Sequence, residues 1–241
     1  MRETESGMMS EDLKNWRQRP RPARVNLEGR YVRLEPLSAD HGDGLYEIST
    51  VADVAERFAW LPDSPPRSRA EFDAWLDKAA ASDDPLYFAV IDQTTGKMVG
   101  RQSLLRIDPP NGVIEIGHVY WGPQMARTRG ATEAQFLFAR YVLGDLGYRR
   151  YEWKANTRNL PSMRAAERFG FQFEGIFRQH MIVKGESRDT AWYAMIDKDW
   201  PALRQAYDAW LDPANFDGDG TQKQRLEDLR TPPPKASGAR K

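Results

Sequence analysis

The stretch from Val113 to Phe171 constrains the fold more than any other part of the chain, because its elements alternate in type. Residues 113–121 form an apolar run with the β-branched and aromatic content of a buried strand, interrupted by one carboxylate, Glu115. A basic turn follows, then an alanine-rich apolar helix, a second strand over residues 149–154, and a helix that ends at Gly170. The order predicts two neighbouring strands with a ligand cleft between them.

The turn between the first of these strands and its helix has the composition of a phosphate-binding loop. The N–H groups of a helix's first turn and the positive end of its dipole attract phosphate. A strand, turn and helix with two arginines is compatible with any phosphate-bearing ligand, and a solvated basic turn is the alternative. The residues concerned are Ala126, Arg127, Thr128, Arg129, Gly130, Ala131 and Thr132.

Composition limits the classes of protein that this chain can represent. Lysine plus arginine equal aspartate plus glutamate at 35 each, which argues against a general nucleic-acid or membrane coat. The absence of cysteine excludes disulfides, thiolate metal sites and a cysteine nucleophile, and no helix carries paired histidines for zinc. Without a long apolar run or a signal peptide, the sequence predicts a cytoplasmic protein without metal, nucleic acid or membrane partner.

The remaining periodicity predicts one domain over residues 25–212. We expect a first strand over residues 30–34, helices over 40–50, 69–81 and 200–211, and strands over 86–91, 98–107, 176–183 and 188–196. Irregular interleaving of these elements favours a mixed, mostly antiparallel sheet with helices on both faces, an α+β fold. Residues 1–24 are predicted to be a flexible or loosely docked basic tail, and residues 213–241 a disordered tail containing proline and glycine.

Three short motifs carry a family resemblance over residues 27–211. The run from Glu115 to Trp121, the turn from Arg127 to Ala134, and the polar positions that precede Gly170-Phe171 resemble the GNAT N-acetyltransferases. Within that family, they are most similar to the subgroup that acetylates the N-termini of ribosomal proteins. The resemblance implies a GNAT fold whose splayed strand pair binds acetyl-CoA, and direct acetyl transfer to an amine. The acceptor would be a protein N-terminus or a small molecule, and the chain a monomer or homodimer.

The resemblance also implies roles for individual residues. Glu115 would remove an amine proton, and the N–H of Val119 would meet the thioester carbonyl. Strand alternation predicts that both lie on one face and His118 on the opposite face. The other cofactor-binding residues would be Trp121, the loop from Arg127 to Thr132, Asn156 and Asn159. Ser162 would be the acid that protonates the thiolate or a helix cap.

Three residues are candidates for the acceptor side of the site. Trp60 lies in a segment that overhangs the acceptor in such proteins, although core packing is equally compatible with a lone tryptophan. Asp189 would reach the acceptor amine. His118 would either line the acceptor site or be a buried, hydrogen-bonded histidine.

The sequence also departs from the family pattern. Ala126 and Arg129 replace a polar residue and a glycine of the phosphate loop, and Ala166 stands where many members have a tyrosine acid. Arg129 would compensate by placing its guanidinium on a phosphate. A second function therefore stays open: a degenerate domain that binds acyl-CoA, or a protein partner, without turnover.

Overall fold

The computed structural model describes residues 13–230, and eight strands within that range form one sheet. In chain order the strands are β1 (Leu27–Glu28), β2 (Val32–Pro36), β3 (Leu86–Asp92), β4 (Met98–Asp108), β5 (Val113–Trp121), β6 (Arg150–Asn156), β7 (Gln172–Val183) and β8 (Glu186–Ile196). Their order across the sheet is β1-β2-β3-β4-β5-β6-β8-β7. Neighbours are antiparallel except β5 and β6, which are parallel. The predicted mixed, mostly antiparallel sheet is confirmed.

Seven helices connect and cover these strands in the described part of the chain. They are α1 (Gly42–Ile48), α2 (Val54–Phe58), α3 (Arg69–Ala81), α4 (Arg129–Ala139), α5 (Leu160–Phe169), α6 (Trp200–Leu211) and α7 (Leu226–Leu229). Ser68 begins α3 by accepting a hydrogen bond from the N–H of Glu71, and Gly170 ends α5 in the left-handed conformation. These local signals explain why both helices start or stop where the sequence predicts.

The sheet has a hydrophobic core on each face. On one face, α4 and α6 pack through rings such as Phe136 and Tyr207, whose centroids are 5.3 Å apart. On the other face, α1, α2 and α3 cover Tyr87 and Tyr120. Helix α4 is buried almost all round because it lies between the sheet and α6.

The parallel pair β5 and β6 separates part of the way along its length. Pairing runs from Val113 with Arg150 to Ile116 with Trp153 and then ends, although both strands continue. The facing edges from Gly117 and Lys154 onward therefore have no ladder partner. This divergence opens the predicted cleft between the two strands.

The C-terminal prediction needs correction. The segment after Pro213 was expected to be disordered, but residues 213–230 pack against α6, where Phe216 and Leu226 are buried. Trp210 explains this order, because its ring packs on Phe216 at 5.1 Å and its indole N–H donates to Gln222. Two apolar anchors spaced ten residues apart are too sparse to show as periodicity. Residues 231–241 lie outside the described part.

The N-terminal segment over residues 13–24 lies against the domain without forming a strand or helix. The indole N–H of Trp16 donates to the carbonyl of Pro110 at 2.7 Å, and the Tyr148 hydroxyl donates to Pro20 at 3.1 Å. Arg24 forms an ion pair with Asp83 at 3.2 Å. The basic cluster thus contacts acidic residues of its own chain, while the domain boundaries at residues 24 and 212 stay predictions.

Within residues 13–230, the helices are all too short or too polar to cross a bilayer. The same residues bring together no group of three or more histidine, aspartate or glutamate side chains suited to a metal ion.

Candidate active site

A cleft of about 300 Å³ lies where β5 and β6 separate. Its floor is formed by residues 115–119 of β5 and 153–156 of β6. The loop after α2 covers one side through Trp60, which is 40% exposed, and the β7–β8 hairpin covers the other. Asn159, which precedes α5, and Ser162 in the first turn of α5 also line the cleft. The structure thus brings Glu115, Trp60, Asn159 and Ser162 to one cleft, while their roles stay predictions.

Glu115 lies at the bottom of the cleft and is only 4% exposed. Two cations bind the same oxygen of its carboxylate: Arg106 at 2.6 Å and Lys154 at 2.7 Å from Oε2. Oε1 receives no hydrogen bond from residues 13–230 and remains available to a ligand. Burying a carboxylate without such partners would cost free energy, and the two ion pairs offset that cost for Glu115.

Neither Arg106 nor Lys154 was predicted from the sequence as a partner of Glu115. Lys154 also binds Glu152 at 2.8 Å and lies 3.8 Å above the ring of Trp192, so it links three strands. A signal was present, because charged residues alternate with aromatic ones along β6 at Arg150, Glu152 and Lys154. That alternation places three charges on the face of the sheet that Glu115 shares.

A β-bulge at His118 changes which side chains face the cleft. Ser103 pairs with Gly117 and Arg101 with Tyr120, so one intervening residue on β4 opposes two on β5. His118 takes up the extra residue in a left-handed conformation, with φ of 49°. Such a bulge shifts the alternation of side chains by one.

Two predictions about β5 are therefore wrong. Val119 packs on the face of α4, opposite to Glu115, and His118 lies on the same face as Glu115 rather than the opposite one. Strict alternation cannot describe a strand with an inserted residue. The imidazole contacts the Ser103 hydroxyl at 3.0 Å and packs on the ring of Tyr87 at 5.3 Å. His118 is partly buried and lines the cleft, so its hydrogen bond fits one of the two interpretations and its position fits the other, and both stay predictions.

A buried arginine holds the bulge in place. Arg101, 2% exposed, donates to the carbonyl of His118 at 3.2 Å and binds Asp63 at 2.9 Å. Its guanidinium lies 4.4 Å from the ring centroid of Trp75 on α3. The Ser103 hydroxyl donates to the carbonyl of Gly117 at 3.0 Å. Two carbonyls of the bulge are thus bound by side chains from β4.

The partial burial of His118 predicts a pH-dependent stability. Desolvation, with the Arg101 charge adding to it, lowers the pKa of His118 from 6.5 to about 4. The unfolded chain therefore binds a proton that the folded protein does not, so stability is complete above pH 6.5 and falls toward pH 4. We expect this histidine to contribute a loss of the order of 1–3 kcal/mol over that interval. Urea unfolding at pH 7.5, 6 and 5 measures the loss.

The variant His118→Gln provides the control for this pH effect. It should be less stable than the wild type at pH 7.5, because its packing on Tyr87 is lost, but its stability should decline less between pH 6.5 and 4. Equal declines in the two proteins would show that other groups cause the pH dependence.

The predicted phosphate loop does not line this cleft. Thr128 begins α4 by accepting a hydrogen bond from the N–H of Ala131 at 3.2 Å, and the exposed Arg127 has a φ of 63°. Gly130 allows close packing, since a Cβ there would lie 2.8 Å from the side chain of Val32. Thr128, Arg129 and Gly130 face a second cavity instead. The first-turn N–H groups of Arg129 and Gly130 have no partner within the helix.

The Arg129 side chain is engaged elsewhere. Its guanidinium lies 5.0 Å from the ring of Tyr31 and 4.7 Å from that of Phe216. Arg129 thereby holds the C-terminal segment against the start of α4, a long-range contact that a local sequence motif does not reveal. The contact of this guanidinium with a phosphate stays a prediction.

Helix α5 begins with a defined hydrogen-bond arrangement. Asn159 is the cap residue, and its side chain accepts from the N–H of Ser162 at 3.2 Å. The Ser162 hydroxyl accepts from the indole N–H of Trp153 at 3.0 Å, which leaves its own proton for a group in the cleft. Of the two roles considered for Ser162, the cap is wrong. The Asn156 side chain accepts from the N–H of Arg158 at 3.0 Å and lies at the end of β6.

Asp189 lies apart from the cleft. Its carboxylate accepts from the N–H of Gln179 at 2.7 Å, where β7 bulges and Gln179 has a φ of 50°. The structure therefore does not place it beside Glu115, and it stabilises the β7 bulge instead.

Comparisons with known proteins agree with this geometry. The family model described as "Acetyltransferase (GNAT) domain" matches residues 32–172. The chain is similar to the crystal structure of a GCN5-related N-acetyltransferase from Brucella melitensis, with 63% identity and a TM-score of 0.89, over 90% of this chain and 99% of the other.

The curated relatives include two N-acetyltransferases from Bacillus subtilis, YjcK and YdaF. YjcK, named a probable N-acetyltransferase, is 26% identical over 72% of this chain and 98% of its own length. YdaF, provisionally named a ribosomal N-acetyltransferase, is 30% identical over 44% of this chain and 57% of its own length. The curated relatives are matched over 57% to 98% of their lengths.

Proposed function

Because the chain belongs to the acetyltransferase (GNAT) family, we propose that it transfers the acetyl group of acetyl-CoA to a primary amine by direct attack. The observation that carries this proposal is the position of Glu115. Its carboxylate lies at the bottom of the cleft with Oε1 unpaired, beside two strand edges that have no ladder partner. A base and a row of free backbone groups in one cleft suit an amine acceptor and an amide-containing acyl carrier.

The residues around the cleft fit acetyl-CoA. The pantetheine arm contains amides, which would pair with the free edges of β5 and β6. The indole N–H of Trp121 is buried without a hydrogen-bond partner and would meet a carbonyl of that arm. When bound, acetyl-CoA supplies an activated thioester. The first-turn N–H groups of α4 and the backbone around Arg127 would contact its phosphates.

Glu115 and Ser162 would move the protons of the reaction. Glu115 accepts a proton from the attacking amine, directly or through water, while Arg106 and Lys154 keep its carboxylate oriented. The Val119 N–H, in the part of β5 that no longer pairs with β6, would stabilise the oxyanion. Ser162 donates its proton to the departing sulfur and regains one from solvent, while Glu115 releases the amine proton to solvent. Trp153 fixes the direction of this hydroxyl by occupying an acceptor position on its oxygen.

The resemblance to the subgroup that acetylates the N-termini of ribosomal proteins suggests a protein N-terminus as the acceptor. Support comes from the motifs around Glu115 and Thr132 and from the provisional name of YdaF, whose match covers 57% of that protein. Trp60 and the β7–β8 hairpin flank the cleft entrance and would contact the residues that follow the acetylated amine.

Acetyl-CoA titration followed by turnover assays tests the proposal. Calorimetry should show stoichiometric acetyl-CoA binding, and thiol release should depend on an amine from a panel of peptides, amino acids and polyamines. Binding without amine-dependent thiol release across the panel would favour the non-catalytic alternative. No binding at millimolar acetyl-CoA would exclude the acetyltransferase function and leave only a domain that binds a protein partner.

Two neighbouring variants separate catalysis from helix capping. Ser162→Ala should lower kcat by about tenfold to a hundredfold because the sulfur loses its proton donor, with little change in acetyl-CoA affinity. Asn159→Ala should instead cost about 1 kcal/mol of stability through loss of the cap. Steady-state kinetics and urea unfolding on both variants measure the difference. An unchanged kcat in Ser162→Ala would assign the acid elsewhere.

A further inference from the structure

The acceptor half of the cleft carries an excess of positive charge. Arg57, Arg106, Lys154 and Arg188 line it, and Glu115 is the carboxylate among the described lining residues. Two of these cations are bound to Glu115, and Arg57 is bound to Asp53 at 2.6 Å. Their charges are therefore largely compensated inside the protein. Arg188 is the exception.

Arg188 lies on β8 opposite Met181, where the β7–β8 hairpin covers the cleft. Its Nε is buried without a hydrogen-bond partner, and within residues 13–230 no carboxylate lies at ion-pair distance from its guanidinium. Burial lowers the pKa of Arg188 from its ordinary value, and the nearby Glu115 opposes that effect. Arginine stays charged at any physiological pH, so Arg188 is a partly buried cation whose buried Nε–H lacks an acceptor.

The β7–β8 hairpin contains a carboxylate that pairs with another arginine, Arg158. Arg158 is more than half exposed and still pairs with Glu186 at 2.6 Å. The exposed Arg158 thus has an ion-pair partner, whereas Arg188, which lines the cleft, has none among residues 13–230. This distribution is the reverse of what stability alone favours, because an unpaired buried donor costs more than an exposed one.

Acetyl-CoA phosphates do not explain this arrangement. The predicted phosphate loop lies at the start of α4 and is absent from the cleft lining, while Arg188 lies on the hairpin side together with Met181 and Val183. The anion that would pair with Arg188 therefore belongs to the second substrate, the amine acceptor. A guanidinium fork matches a carboxylate with two parallel hydrogen bonds.

On the premise of the proposed function, we propose that the acceptor is a primary amine that carries a carboxylate. Arg188 binds the carboxylate, and Glu115 accepts the proton of the amine. The acceptor is then a free amino acid or a peptide with an acidic residue close to its N-terminus. Polyamines and other polycationic amines are disfavoured, since their second cation would lie among Arg57, Arg106 and Arg188.

Matched acceptors test this inference. Each amine is offered in two forms that differ only in a carboxylate or a carboxamide: free amino acids and their amides, and short peptide amides with Asp or Asn, or Glu or Gln, at position two. We expect kcat/KM to be at least tenfold higher for the carboxylate in at least one pair. In Arg188→Gln this ratio should approach 1, and in Arg188→Lys it should be intermediate. Arg204→Gln, an exposed arginine on α6, is the control and should keep the wild-type ratio.

Three results would overturn the inference while leaving acetyl transfer intact. They are equal rates for all pairs, a carboxylate preference that survives Arg188→Gln, or a higher kcat/KM for spermidine than for every carboxylate. A binding measurement covers the case in which no amine is acetylated. Calorimetry with the same compounds should show at least tenfold tighter binding of the carboxylate member, lost in Arg188→Gln, and equal binding of the members would refute the inference without turnover.

Discussion

Glu115→Gln is expected to lower kcat/KM by about a hundredfold to a thousandfold at pH 7, with acetyl-CoA affinity unchanged. General-base catalysis contributes about 10²–10⁴ in rate, and the amide of glutamine cannot accept the amine proton. Glu115 is also bound to Arg106 and Lys154, so the variant should lose stability as well. Rates are therefore measured with the folded fraction verified by circular dichroism.

Glu152→Gln is the matched control for this variant. Glu152 pairs with Glu115 in the sheet register, is similarly buried, and binds the same Lys154. It is absent from the cleft lining and has its own partner in Arg150 at 2.6 Å. Both variants should disturb the ion pairs, but only Glu115→Gln should lower the rate a hundredfold. Equal losses would mean that Glu115 acts through the charge network and not as a base.

The pH profile then reports the kind of amine. An α-amine with a pKa of about 7.7–8.0 is partly neutral near pH 7.5, whereas a lysine amine has a pKa of about 10.4. With an α-amine acceptor, the defect of Glu115→Gln should therefore shrink toward high pH as bulk water and hydroxide take up the proton. With a lysine or polyamine acceptor, it should persist to much higher pH. A variant without any loss between pH 6 and 10 would show that the base lies elsewhere.

Glu133→Gln is expected to have the largest effect on stability, about 3–5 kcal/mol. The Glu133 carboxylate is buried and accepts hydrogen bonds from three successive backbone N–H groups, those of Arg30, Tyr31 and Val32, at 2.5–2.7 Å. Hydrogen bonds to a charged group contribute about 1.5–3 kcal/mol each. Glutamine would turn one acceptor oxygen into a donor that faces an N–H group.

Urea unfolding of the wild type, Glu133→Gln and the exposed control Glu47→Gln measures this effect. The control should change stability by less than about 0.5 kcal/mol, as is usual for a surface substitution. A loss in Glu133→Gln no larger than in the control would mean that water replaces the carboxylate at these N–H groups. Because Glu133 ties the start of β2 to α4, weaker acetyl-CoA binding should accompany the loss of stability.

The partners of Glu133 could not be predicted from the sequence. Glu133 was recognised as part of a motif, and the first strand was predicted to start at residue 30. The structure has a two-residue strand, β1, before it, and the predicted strand, β2, begins at Val32 because the Glu133 carboxylate accepts from the N–H groups of the two preceding residues. The partners are about a hundred residues apart, so neither segment alone reveals the contact.

The sequence by itself determined the elements and their approximate ends. Helices over residues 69–81 and 200–211 agree with the predicted bounds, and Gly170 ends α5 as expected. Local periodicity, caps and turn residues suffice for these features because each depends on neighbours within a few positions. Together with the family motifs, they also placed Glu115, Ser162 and Asn156 around one cleft.

Only the tertiary structure decided how that cleft is charged and which way its side chains point. The bulge at His118 is a property of the pairing between β4 and β5, so the alternation of β5 alone could not show it. The partners of Glu115, the place of Arg129 on Phe216 and the unpaired Arg188 depend on residues distant in the chain. Ion pairs, ring contacts and strand register form between segments that meet only after folding, and a local pattern carries no information about which segments those are.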